Sequence, residues 1–387
     1  MMADNTSTRR RILRTVVLGL PLVLLMAMMT TQGKPLPQEP LNLIPLVVAY
    51  AFTVGTFLVI LYTGRTYRYR AIVFVTYAVC FVLTFIPNLL ELRGSMAITR
   101  AEMIQGHTPF CHMVIPTTVI PAALSRTIIF PGSMLEGFAS IGTMLVLWLG
   151  ATIALGRGWC SWGCFYGGLD EGFSRIGRRP LLRKIGRQWT YLPFAILLAI
   201  ALTSAATLTP TYCGWLCPFK AVTEFEAVTS ATVLVQTVIF ITLFVGLVIV
   251  LPILTKRRTQ CGLFCPMGAF QSLTNKLNIF DLRVDPDKCV QCGRCESLCP
   301  TFSISRDSIQ KGKTCVTCTK CGRCVDQCPK NAISYHIKGT PVGVKPHVAR
   351  LMFVYAAFLL LAIMGSGMFA GAVRRILLLV TTGSMIE

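Results

Sequence analysis

The residues that could do chemistry in this chain are cysteines. Of 387 residues 17 are cysteine, and most stand in tight groups rather than at scattered spacings, which points to metal ligation over a disulfide framework. CVQCGRCESLCP supplies Cys289, Cys292, Cys295 and Cys299, and CTKCGRCVDQCP supplies Cys318, Cys321, Cys324 and Cys328. Both read C-x2-C-x2-C-x3-C-P, the run that wraps a bacterial [4Fe–4S] cluster. Three thiolates at this spacing hold one corner of a cubane, and the fourth reaches the neighbouring cluster. One [4Fe–4S] site is therefore expected at Cys289, Cys292, Cys295 and Cys328. The other is expected at Cys318, Cys321, Cys324 and Cys299. Zinc is the plainer alternative, but eight cysteines in this register suit two cubanes. Cys315 is left spare.

Three further pairs share the spacing C-x3-C. RGWCSWGCFYGG holds Cys160 and Cys164, KRRTQCGLFCPMGAF holds Cys261 and Cys265, and TPTYCGWLCPFKAV holds Cys213 and Cys217. Spacing i, i+4 puts both side chains on one helix face, which makes half of a four-ligand site. The first and last of these segments in the chain form an internal repeat of span, basic residues and cysteine pair. Cys160, Cys164, Cys261 and Cys265 are thus expected to share a third iron–sulfur cluster at the cytoplasmic membrane edge. Cys213 and Cys217 fall at the opposite edge, where HTPFCHMVIP offers His107, Cys111 and His112. Two readings stay open there. Cys213, Cys217, Cys111 and His112 form an outer iron–sulfur or other metal site, in which a histidine ligand would raise the potential. Alternatively Cys213 and Cys217 form a disulfide in an oxidising compartment, with Cys111 outside it. Cys80, alone within a span, reads as a small core residue.

The elements that must position these groups are apolar helices. The chain is 53% hydrophobic and only 14% charged, against about 25% charged in soluble domains. Seven apolar runs approach the ~20 residues that a bilayer demands, near 12–30, 41–62, 71–90, 134–156, 190–209, 233–254 and 349–373. The run after TRRRILR is too long for a cleavable signal, and the closing RRILLLV is too short to span. The net charge of +21 would suggest nucleic acid in a soluble protein. Here it alternates with the spans. Loops assigned inside hold 17 basic residues, and the outer ones hold five: Lys34, Arg93, Arg100, Arg126 and Lys220. The positive-inside rule then puts the N-terminus and residues 280–340 in the cytoplasm and the C-terminus outside. Nucleic acid is not an expected partner. Nor is haem an expected cofactor, since His107, His112, His336 and His347 all fall outside the predicted spans. No C-x-x-C-H, P-loop or G-x-G-x-x-G after a strand is present.

The expected fold is a mainly α membrane protein of about seven transmembrane helices with an inserted small α+β, bacterial-type two-cluster ferredoxin domain. Residues 1–133 form an N-terminal transmembrane region with an outer loop. Residues 134–279 form the core with three C-x3-C segments, 280–340 the ferredoxin domain, and 341–387 the last helix and tail.

The C-x3-C-P segments at Pro218 and Pro266, together with the doubled ferredoxin run, resemble the membrane polyferredoxins of the NapH and NosR type, which include cytochrome oxidase accessory proteins. The resemblance covers residues 134–340, and residues 1–133 lie beyond it. It implies electron transfer at the cytoplasmic (inner) membrane, often from quinol, toward a respiratory reductase or metal-centre maturation. Redox partner proteins, a quinone and membership of a larger complex follow from it as expectations. One departure is that Phe165, not proline, follows Cys164. A redox relay is the leading reading, and a redox sensor or assembly accessory is the alternative. A transporter is disfavoured by the scarcity of charge within the spans. The basic surface of the soluble part (Arg294, Lys311, Lys313, Lys320, Arg323) suits an acidic donor or anionic headgroups.

Overall fold

The computed structural model describes the chain apart from residues 1, 32, 34, 92–110, 112–113, 129–139, 178, 183–184, 224–227, 342–345 and 386–387. Six described helical stretches are long and apolar enough to cross a membrane: Thr8–Thr31, Pro40–Thr63, Thr66–Thr84, Arg187–Thr207, Ala231–Thr255 and Pro346–Thr382. The run expected at 134–156 behaves differently. Ile141–Ala154 meets Gly156–Trp162 at a bend of 108°, a broken or re-entrant span. The basic tail after the last run is no separate segment, because the final helix continues through it to Thr382. It also begins early enough to take in His347.

Along the chain we number α1 (Met2–Thr31), α2 (Pro40–Thr63), α3 (Thr66–Glu91), α4 (Val114–Ser125), α5 (Ile141–Ala154), α6 (Trp159–Trp162), α7 (Phe165–Arg175), α8 (Leu192–Thr207), α9 (Ala231–Thr255) and α10 (Pro266–Thr274). α1, α2, α3 and the last helix pack as one bundle. Its core is aromatic: Phe57 meets Phe358 at 5.2 Å between ring centroids, Phe52 stacks on Phe369 at 5.1 Å, and Tyr77 abuts Phe369 at 5.7 Å. Such pairs add to the area they bury.

Two short helices position the cysteines. α7 runs back along α3. Phe165 stacks on Phe81, Gly168 lies against Phe74 and Ala78, Glu171 pairs with Arg70, and Arg175 sits over the Tyr67 ring. Eleven residues give about 16 Å of helix, half of a ~30 Å apolar core, so α7 covers only the stretch of α3 between Phe81 and Tyr67. α10 is buried from Pro266 to Ser272 and packs on α8.

The ferredoxin portion is framed by β1 (Phe280–Val284) and β2 (Ile333–Ile337), antiparallel with Phe280 opposite Ile337. Between them lie α11 (Arg294–Leu298), α12 (Arg306–Gln310) and α13 (Arg323–Gln327), and α14 (Pro346–Thr382) follows. The two motifs repeat in backbone as well as in sequence. Gln291 and Lys320, Gly293 and Gly322, and Phe302 and Asn331 all have positive φ at matching positions. Cys299 and Cys328 are both extended, with ψ of 118° and 117°, as a following proline requires. Phe353 of α14 fastens this unit to the bundle, stacked on Tyr335 and edge-on to Trp162 and Phe280.

Candidate iron–sulfur sites

The two ferredoxin motifs interleave. Cys289, Cys292, Cys295 and Cys328 line a common cavity of about 430 Å³, with Cys324 on its inner wall. Cys292 is exposed, so this cavity faces solvent. Cys299 lies instead with the second motif, within electrostatic reach of Cys318, Cys321 and Cys324, and those four thiols are buried. Burial pushes Cys318 and Cys295 up to about 11. Those two thiols hold their protons until ligation displaces them. Among the described residues no three histidine, cysteine or acidic side chains converge as a single ion requires. The thiols of the first group stand around a void, which is the arrangement a cubane needs. Cys315 lies in the turn before Cys318, whose amide donates to its carbonyl.

Cys160, Cys164, Cys261 and Cys265 also come together. Cys164 is within electrostatic reach of Cys160 and Cys265, and Cys261 of Cys164 and Cys265. The local geometry differs from the helix-face expectation. Cys160 is helical and Cys261 sits in a π-turn, while Cys164 and Cys265 have left the helix, with ψ of 109° and 115°. Cys217 does the same, with ψ of 106°. The second cysteine of each pair thus starts the next segment instead of ending the turn before it. Phe165 in place of proline leaves this turn unchanged. The Cys164 sulfur accepts the Gly167 amide at 3.4 Å and caps α7, so a side-chain cap does there what proline does at 266.

Around this quartet lies a buried charged network that the sequence did not reveal. Arg258 donates to the Cys160 carbonyl at 2.5 Å, to Ser161 Oγ at 2.7 Å and to the Cys261 sulfur at 3.1 Å. Asp170 accepts the Cys261 amide at 2.9 Å. Glu171 takes two bonds from Arg70 at 2.5 and 2.7 Å and lies 3.9 Å from Arg258. Arg157 bonds Ser272 and the Cys261 carbonyl. Arg70, Arg157 and Arg258 are at most 2% exposed. Three of the 17 residues counted as loop charges are therefore structural, because Glu171, backbone carbonyls and serine hydroxyls within the fold take up their terminal N–H groups, although the Nε of each has no partner among the described residues. The available signal was the pair Asp170–Glu171, set just behind cysteines in a chain with only 16 acidic residues.

The stretch that holds Cys160 and Cys164 reaches in two directions. Trp162, between them, donates its indole N–H to the Lys320 carbonyl at 3.3 Å. Lys320 lies between Cys318 and Cys321 of the second ferredoxin motif. Its ammonium bonds the Leu155 carbonyl at 3.1 Å and Asn275 Oδ1 at 2.6 Å, and burial pushes it down to about 7. The sequence assigned Lys320 to the basic surface, but at 1% exposure it is a buried tie. In the other direction, Tyr166 hydrogen-bonds Cys111 and lies within electrostatic reach of Cys217 and Cys164. Tyr166 also stacks on Phe219 at 3.9 Å.

Cys111, Cys213 and Cys217 do gather, joined by Tyr212, which is within electrostatic reach of all three and of Cys265. No disulfide joins Cys213 to Cys217. His107 and His112 lie outside the described residues. The sequence set this group at the opposite edge from the quartet, yet the two groups are neighbours. The cause is α7, which carries Tyr166 inward to the level of Phe81. Cys80 is 8% exposed and belongs to the bundle core. An apolar cavity of about 620 Å³ opens between these groups, lined by Cys111, Trp148, Gly163, Phe165 and Tyr166 among others.

Residues 282–305 and 317–334 match a family model described as a 4Fe-4S binding domain. Residues 137–184, 189–228 and 237–283 each match a second model with the same description, and each of these segments contains one C-x3-C pair. The chain thus carries 4Fe-4S ferredoxin-type segments. It is 25% identical over 188 residues to the "Putative electron transport protein YccM" of Escherichia coli (strain K12), an alignment covering 44% of this chain and 48% of that one. It is 27% identical over 181 residues to the uncharacterized protein MJ0750 of Methanocaldococcus jannaschii, covering 44% of this chain and 68% of that one. The chain therefore spans about half the length of the first of these relatives. No solved structure matches.

Proposed function

We propose that this chain is an integral membrane iron–sulfur protein that relays electrons between a redox partner at its ferredoxin end and an acceptor or quinone reached through the bundle. The finer likeness to the NapH and NosR type belongs to this reading. The carrying observation is that one twelve-residue stretch, 157–168, links three cysteine groups, through Trp162 to Lys320 and through Tyr166 to Cys111. Cys289, Cys292, Cys295 and Cys328 would hold one [4Fe–4S] cluster, and Cys299, Cys318, Cys321 and Cys324 a second. Cys160, Cys164, Cys261 and Cys265 would hold a third, with Cys111, Cys213 and Cys217 as candidates for a further metal site. When bound, such clusters supply one-electron couples. The chain's own residues leave the first site open to solvent, bury the thiols of the second, and tie the groups together through Trp162 and Tyr166.

The solvent-facing first cavity, rimmed by Lys288, Arg294 and Lys330, suits an acidic protein donor. The apolar cavity beside Tyr166 favours a quinone at the other end. A sensor or maturation accessory would need the ferredoxin clusters but not the tie through Trp162. The test is therefore Trp162→Phe, which keeps an aromatic ring at that position and removes the N–H. In anaerobically purified protein its iron and sulfide should equal the wild type, with about eight irons from the ferredoxin runs alone. Freeze-quench EPR should show slower electron exchange between the ferredoxin and membrane signals. Full iron with unchanged exchange would refute the tie, and absence of a membrane signal in the wild type would refute the relay.

A further inference from the structure

A second site lies away from every cysteine group. At the ferredoxin end of the bundle, between α1, the α2–α3 turn and α14, is an open cavity of about 1000 Å³. Its lining carries Arg11 and Arg14 from α1 and His347 and Arg350 from α14, with Leu18, Ile60 and Val354 following about one turn further along the same bundle of helices. None of the described lining residues is acidic. Among the described residues no carboxylate forms an ion pair with Arg11, Arg14 or Arg350. Asp326 is within electrostatic reach of Arg350, but its carboxylate accepts the Tyr67 amide at 2.7 Å.

We infer that this cavity binds the headgroup of an anionic phospholipid. Three guanidiniums converging without a carboxylate repel one another, and a phosphodiester resolves that repulsion with bidentate bonds that arginine makes well. The shape separates a lipid from free phosphate. The cations stand together and apolar side chains follow about a turn further along the bundle, so the site matches a charged head with an acyl chain beneath it. A soluble anion would leave those side chains wet. Basic pockets between helices at a charged membrane face are suited to such headgroups. The occupant would also act on the assembly. Arg350 donates its Nε–H to Thr66 Oγ1 at 2.8 Å at the head of α3, one residue from the Tyr67–Asp326 bond that fastens α13 to the bundle. A bound phosphate would tie α1, which is otherwise peripheral, to this junction.

The test uses the full chain in mild detergent, titrated with phosphatidylglycerol, phosphatidylethanolamine or inorganic phosphate and read by native mass spectrometry. Phosphatidylglycerol should be retained and phosphatidylethanolamine should not. Arg11→Gln with Arg14→Gln leaves the Arg350–Thr66 contact intact, and should weaken retention at least tenfold. Arg9→Gln with Arg10→Gln removes the same charge beside the cavity without touching its lining, and should change retention little. Equal loss in both double variants would reduce the effect to general surface charge and overturn the site. Equal retention of the two lipids would overturn it as well. Displacement of lipid by millimolar inorganic phosphate would overturn the lipid as the natural source.

Discussion

Arg258 shows what a single residue does here. Its guanidinium touches the backbone of one cysteine pair and the sulfur of another, and lies 3.9 Å from the Glu171 carboxylate behind them. A thiolate-ligated cluster is anionic overall, and buried positive charge and hydrogen bonds to sulfur raise its potential. Arg258→Gln removes the charge and leaves Asp170 and Glu171 with fewer partners. Breaking a buried pair from one side costs about 3–5 kcal/mol. The variant should therefore melt earlier, lose iron from the membrane quartet first, and show a lower midpoint potential in whatever quartet signal survives. Loss of the ferredoxin signals ahead of the quartet signal would contradict this assignment. The grouping of the cysteines was legible in the sequence because a ferredoxin-type run fixes both residue type and spacing. Arg258 was not, because a basic residue after an apolar run looks the same whether it faces water or a carboxylate. Only the fold brings Glu171, 87 positions away, to meet it.

At the scale of elements, hydropathy revealed the long helices and missed the short ones that carry the site. α2, α3, α8, α9 and α14 stand where long apolar runs required them, since each must bury or expose a whole apolar surface to lipid. α7 and α10 have only 11 and 9 residues, too few for any spanning rule, and their polar side chains Asp170, Glu171 and Gln271 turn into the protein. α7 also depends on close approach to α3. A Cβ at Gly168 would stand 2.5 Å from Ala78 Cβ and 2.6 Å from the Phe74 carbonyl oxygen, neither of which can move easily. Gly168→Ala should push α7 off α3 at about 1–3 kcal/mol, as overpacking commonly does. It should loosen the Cys160–Cys164 pair, read as lower iron in the quartet. Gly214→Ala is the control, because its Cβ meets nothing within 4 Å. Equal iron in the two variants would argue against α7 as the positioning element.

For the whole molecule, the side of the membrane from which the proposed relay is loaded depends on which side holds the ferredoxin portion. The unequal split of basic residues predicts the cytoplasm. That prediction survives the removal of Arg70, Arg157 and Arg258 from the loop tally, since the inside loops still hold 14 basic residues to five outside. A reporter active only in the cytoplasm, fused after residue 338, should be active. Activity of a periplasm-only reporter at the same point would invert the assignment and exchange the donor and acceptor ends.

Many electron carriers place a cluster on a tethered domain that swings between partners, so that transfer waits on diffusion of the tether. Lys320 leaves little room for that here. Its backbone belongs to a cluster-binding loop, its carbonyl accepts from Trp162 and from Tyr335, and its side chain is inserted among Leu155 and Asn275 of the membrane part. The ferredoxin portion cannot rotate away without pulling this loop out of shape. Internal transfer should then be indifferent to solvent viscosity, and the docking of the external partner should be the step that glycerol slows.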